Sequence, residues 1–167
     1  FGYRVAMDKT GESIAVGADG EESYRGAVYT YHRRQNASDR AMFEDQREII
    51  HDSGQAEDNF GGSVTISGDG KVLFIGAPGA NRGRSEDHGT VHIYEAAGSE
   101  WKYTESIHLP DDHTKAGNFF GWSSGSSYSA NRFAATAPDA FNELGMAFIA
   151  GFNTYGKKKV DSRSRSE

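Results

Sequence analysis

The sequence predicts an all-β fold assembled from repeated four-stranded antiparallel units, and three observations predict it. Phe-Gly recurs at Phe1-Gly2, Phe60-Gly61 and Phe120-Gly121, which divides the chain into successive units of 59 and 60 residues. Sixteen residues after each Phe stands a small-residue turn: Gly17-Ala18-Asp19, Gly76-Ala77-Pro78 and Thr136-Ala137-Pro138. Glycine is abundant (21) and proline scarce (3), which suits many short strands joined by tight turns. A repeat of this length is a supersecondary unit that buries its apolar surface only by stacking on its neighbours.

The second unit justifies the elements in order. After Phe60-Gly61, Ser63-Val64-Thr65-Ile66 alternates polar and apolar residues as a half-buried strand does. Ser67-Gly68-Asp69-Gly70 then supplies a tight turn, because Asp-Gly places a glycine where positive φ is required. Lys71 to Ile75 is a continuous apolar run after its lysine, the pattern of a strand covered on both faces. The chain breaks at Gly76-Ala77-Pro78, crosses a polar loop to His88 and re-enters a strand at Gly89 to Tyr94. Trp101 to Leu109 completes the unit. Four antiparallel strands per unit make the blade of a β-propeller.

The first unit repeats this order. Phe1 to Met7 is its first strand, Ser13 to Val16 its second, Gly26 to Tyr31 its third and Phe43 to Ile50 its fourth. The third unit is degenerate: Gly121 to Tyr128, Arg132 to Ala135 and Gly145 to Ala150 read as strands, with no fourth in sight. The expected organisation is therefore one blade over 1–59, one over 60–119, an incomplete blade over 120–155 and a solvated basic, serine-rich tail over 156–167.

These residues resemble the FG-GAP repeat family of integrin α-chain propellers and many secreted or surface proteins. The likeness is carried by FGGSVTISGDGKVLFIGAP followed by GTVHIY, and by FGYRVAMDKTGESIAVGAD followed by GAVYTY; it is looser in the third unit. The variant resembled has a short S-x-DG turn in place of the acidic calcium loop of integrin-type blades. Calcium needs six to eight oxygen ligands. The turns Asp8 to Glu12, Ser67 to Gly70 and Ser127 to Ala130 offer two carboxylates, one and none. Hairpin turns rather than metal sites are expected, and no cofactor.

Other chemistry is scarce. None of the six histidines (His32, His51, His88, His92, His108, His113) pairs with another at metal-ligand spacing on a helix. His92, inside an apolar strand, reads as a packed, hydrogen-bonded residue. Gly121-Trp122-Ser123-Ser124-Gly125 has its serine misplaced for a nucleophile elbow. Gly79-Ala80-Asn81-Arg82-Gly83 precedes no helix, so it lacks the dipole that draws phosphate. The expectation is a non-catalytic chain.

A net charge of -6 argues against a nucleic-acid surface, and no apolar run approaches the length of a membrane helix. The chain opens directly on a repeat and reads as a processed or excised segment, so a missing leader carries little weight. With no cysteine, disulfides and thiolate sites are excluded. The resemblance and the sequon at Asn36-Ala37-Ser38 point to an extracellular, cell-surface or luminal setting.

What remains is surface. Loops joining second to third strands fall on one rim, and they supply Glu21, Glu22, Tyr24, Arg25, Arg82, Arg84, Glu86, Asp87, Phe141, Asn142 and Glu143 as candidate binding residues. Their mixed charge and aromatics suit a protein or glycan partner. Three blades do not close a ring, which takes at least four. The open ends therefore call for other chains or further blades of a longer parent. Three roles follow: a binding or assembly module, a structural subunit of a larger and even membrane-bound complex whose basic tail (Lys157 to Lys159, Arg163 and Arg165) docks on an acidic surface, or the accessory propeller of an enzyme whose catalytic domain lies elsewhere.

Overall fold

The computed structural model describes residues 1–33, 43–81, 86–109, 116–140, 145–152 and 158–160. Among them, twelve strands form three four-stranded antiparallel sheets, each in simple chain order. The first holds β1 (Arg4–Met7), β2 (Ser13–Ala18), β3 (Ala27–Arg33) and β4 (Phe43–Ile49). The second holds β5 (Ser63–Ile66), β6 (Val72–Ala77), β7 (Thr90–Ala97) and β8 (Glu100–Ile107). The third holds β9 (Ser124–Ser126), β10 (Arg132–Ala137), β11 (Met146–Phe152) and β12 (Lys158–Val160). The chain is an all-β, partial propeller-like fold.

The hairpin turns obey the local chemistry read from the sequence. Asp8 Oδ1 accepts the Glu12 N–H at 2.9 Å, and Oδ2 accepts the Thr10 hydroxyl at 3.1 Å, so this carboxylate caps a turn. Ser67 Oγ accepts the Val72 N–H at 3.0 Å and donates to Asp69 Oδ1 at 2.6 Å. Ser127 Oγ takes the same part for the Arg132 N–H at 3.0 Å.

One expectation is corrected. The tail read as solvated from residue 156 contains β12, whose Lys158, Lys159 and Val160 pair with Phe152, Gly151 and Ala150. A Lys-Lys-Val run carries no apolar alternation, yet the β11 edge offers unpaired backbone groups, and lysine is a frequent edge-strand residue.

Corresponding rungs of the sheets explain the packing. In the first sheet Val5, Val16 and Tyr29 lie side by side, as do Met7, Ile14 and Tyr31. The second sheet places Val64, Ile75 and His92, then Ile66, Leu73 and Tyr94, at the same stations. Of these latter residues all but His92 pack with Ala15 and Val28 of the first sheet in one core layer. On its other face the second sheet sends Phe74, Val91, Ile93 and Ile107 into a second layer with Phe133, Ala135, Phe148 and Ala150 of the third. Phe74 stacks on Phe133 with ring centroids 4.3 Å apart. The core is thus two inter-sheet layers rather than one centre, as stacked repeats require.

Both junctions share one seam. Phe60 N–H donates to the Arg25 carbonyl at 3.0 Å, and Phe120 N–H donates to the His88 carbonyl at 3.2 Å. The backbone of Gly61 runs against Gly17, and that of Gly121 against Gly76, so closely that a Cβ on Gly17 or Gly76 would overlap a carbonyl oxygen. Gly61 and Gly121 also sit at φ +90, where only glycine is at ease. This contact is the physical meaning of the repeated Phe-Gly and of the glycine sixteen residues after it.

Candidate functional site

The rim loops come first. Glu21, Glu22, Tyr24 and Arg25 lie between β2 and β3, and Glu86 and Asp87 lie between β6 and β7. Arg82, Arg84, Phe141, Asn142, Glu143 and the sequon at Asn36 fall outside the described residues. The backbone of these loops forms the junctions. Carbonyls of Ser23 and Tyr24 accept the N–H groups of Glu57 and Asn59, while those of Glu86 and Asp87 accept Gly117 and Phe119. To reach that geometry Glu22, Ser23 and Tyr24 take φ of 45, 59 and 64, three non-glycine residues in succession in the left-handed region.

The side chains of the first rim loop are partly engaged. Tyr29 Oη donates to the Glu21 carboxylate, 2.8 Å from Oε1, and also lies 3.0 Å from Glu48 Oε1. The Glu21 hydrogen bond first, then burial and Glu48, pushes the Tyr29 hydroxyl well above the usual tyrosine range. Glu22 pairs with Arg25 at 3.4 Å. Tyr24 points outward, 59% exposed.

A groove between the inter-sheet connection and the second sheet holds a denser cluster, which sequence reasoning missed. About 520 Å³ in volume, it is lined by His51, Ser53, Gln55 and Asp58 of the connection between the sheets, Ala80 and Asn81 after β6, and Thr90, His92, Tyr103 to Ser106 and His108 along β7 and β8. The His51 and His92 rings lie 4.0 Å apart, with Tyr103 5.3 Å from His51. A hydroxyl chain runs from Tyr103 Oη to Ser106 Oγ at 3.0 Å and on to His92 Nδ1 at 2.9 Å. Asp58 Oδ2 accepts the Gln55 N–H at 2.7 Å.

Burial dominates the electrostatics. It depresses His92 to about 3, with the His51 and His108 imidazoles adding to the shift. It lowers His51 too, against the opposing pull of Asp52 and Asp58, and it raises the Asp58 carboxyl. His92 is therefore uncharged at neutral pH and a very weak base. Although Ser106 Oγ touches it, this pair orients a hydroxyl rather than activating one, since a general base works best with a pKa near the working pH. Among the described residues, no group of three or more His, Cys, Asp or Glu is arranged to hold a metal ion. Nor is any helix among them long and apolar enough to cross a membrane.

His92 opposite Ser106 follows from strand register, so half of this cluster was within reach of the sequence. His51 was not, because 41 residues separate it from His92 and only the packing of one sheet on the next joins them.

Repeated four-stranded sheets, joined by a glycine seam, define a module built from propeller blades. Residues 43–94, from β4 into β7, match the family model described as FG-GAP repeat. No curated protein sequence matches the chain. Among solved structures, the crystal structure of Saccharomyces cerevisiae Sqt1 is similar over 95% of this chain, with TM-score 0.54 and 12% identity. The chain spans 33% of that protein's length, and the likeness concerns the fold alone.

Proposed function

We propose that the chain is a non-catalytic propeller module whose role is assembly, its first sheet receiving a further blade from another chain or from a longer parent. One observation carries this reading. Val5, Met7, Ile14, Val16, Tyr29 and Tyr31 occupy, rung for rung, the stations that Val64, Ile66, Leu73, Ile75, His92 and Tyr94 hold in the second sheet. The second set is covered by a neighbouring sheet; in the first, Val5 is 70% and Met7 59% exposed. A contiguous apolar face of this kind marks an interaction surface. The far side of the third sheet, with exposed Ala134, Ala147 and Ile149, has the small side chains that Ala15 and Val28 present at the first junction. Tyr24, Glu22 and Glu86 on the rim are the residues we assign to partner contact there.

Light scattering after size exclusion tests the reading on the 1–167 chain. A dimer or larger species is expected from the wild type, and a monomer of unchanged circular dichroism from Val5→Asp/Met7→Asp. A monodisperse wild-type monomer at high micromolar concentration overturns it.

A further inference from the structure

We propose that the groove between the inter-sheet connection and the second sheet is a binding site for an uncharged saccharide, with Tyr103 as its stacking platform and Gln55, Asn81 and Ser106 as its hydrogen-bonding groups. The inference is independent of the assembly reading, because no residue of the open face of the first sheet lines the groove.

Size and lining set the ligand class. A volume of about 520 Å³ lies within the range of small-molecule sites, roughly 300–1,000 Å³. Among the described residues no lysine or arginine lines the groove, so none of these neutralises a phosphate, sulfate or sialic acid there. The imidazoles of His51 and His92 add no positive charge at neutral pH either, since burial lowers both. Among the described residues a metal ion lacks a ligand set. An organic cation favours several aromatic faces around it, whereas Tyr103 is the large aromatic of the lining that is substantially exposed, at 45%.

Hydroxyls that both donate and accept suit what remains. Gln55 and Asn81 bring amides that do both, with Asn81 Oδ1 fixed by the Asp87 N–H at 2.9 Å. Ser106 Oγ is held between Tyr103 Oη and His92 Nδ1, so its position is set before a ligand arrives. The ring of Tyr103 offers a flat apolar surface beside these polar groups, the pairing that the alternating C–H and O–H faces of a sugar require.

The test exposes the full chain to an array of neutral, sialylated and sulfated oligosaccharides. The best neutral oligosaccharide is then titrated calorimetrically into wild type, Tyr103→Ala and Ser106→Ala. Retention of neutral oligosaccharides is expected, with affinity falling about fivefold to tenfold in Tyr103→Ala, the loss of one aromatic contact. Unchanged melting of that variant excludes a folding defect, and Ser106→Ala is expected to weaken binding in the same direction. Three results overturn the proposal: no neutral oligosaccharide retained, Tyr103→Ala binding as tightly as wild type, or retention confined to the sialylated and sulfated ligands.

Discussion

Replacing Gly76 with alanine separates two physical effects of opposite sign. Gly76 lies in β6 without a positive φ, so alanine fits its backbone. By chain entropy alone, Gly76→Ala stabilises by about 0.4–1 kcal/mol. The new Cβ, however, overlaps the Gly121 carbonyl oxygen and the Ser63 hydroxyl. That hydroxyl donates to the same carbonyl at 2.8 Å, so relieving the overlap breaks a buried hydrogen bond. Overpacking costs about 1–3 kcal/mol and an orphaned buried carbonyl about 1–3 more. The net expectation is destabilisation by roughly 2–4 kcal/mol, a large part of the stability of an ordinary domain. Urea titration followed by circular dichroism reads this as a midpoint lower by about 1–2 M. Gly125→Ala is the control, since Gly125 is also in a strand and its Cβ would meet nothing within 4 Å. An unchanged midpoint in Gly76→Ala, or an equal fall in both variants, refutes the seam argument.

Other outcomes follow from the same packing. Phe74→Ala, which empties a fully buried stack on Phe133, is expected to lose about 3–5 kcal/mol in the same titration. Acid destabilises through His92: the unfolded chain takes up its proton near 6.5 and the folded chain only near 3, so stability is full above about 6.5 and declines as the pH falls toward 3. The slope approaches ~1.4 kcal/mol per pH unit in that window, with the lowered His51 adding to it at its upper end and the raised Asp58 opposing it at acid pH. His92→Asn should flatten the profile of melting temperature against pH, and a profile as steep as wild type would count against burial as the cause. Ser63→Ala removes one hydroxyl from the second junction and is expected to cost about 1 kcal/mol, measured by the midpoint shift.

How much was legible in the sequence depends on whether neighbours along the chain or across the seam decide the structure. Ser67 to Gly70 announced a hairpin because its turn chemistry is local, and the Phe-Gly repeats announced stacking because the seam needs glycine at fixed offsets. The strand β12 was hidden because edge pairing is made by the backbone, and Lys158-Lys159-Val160 advertises nothing to a search for alternation. The left-handed run at Glu22 to Tyr24 was hidden as well. Nothing in Glu-Ser-Tyr favours positive φ, and the hydrogen bonds from Glu57 and Asn59 that accompany it come from the distant connection leading to the second sheet. The groove failed for a third reason: it belongs to no single unit, and its halves are brought together only when His51 of one connection packs on His92 of the following sheet.

The turns of successive units also touch. The Lys9 N–H donates to the Gly68 carbonyl and the Asp69 N–H to the Tyr128 carbonyl, at 3.2 and 2.9 Å. With the glycine contacts, each junction is gripped at two places by main-chain atoms that every unit possesses. Such a joint demands glycine at the seam but asks little of the loop side chains around it. A gene encoding these units can therefore lengthen by copying one sixty-residue block, and each copy can then diverge in its loops and sheet faces while still docking on its neighbours. The third unit, where Ser124 and Ser126 stand at the stations of Val64 and Ile66, keeps the same seam although its first strand lacks those apolar residues.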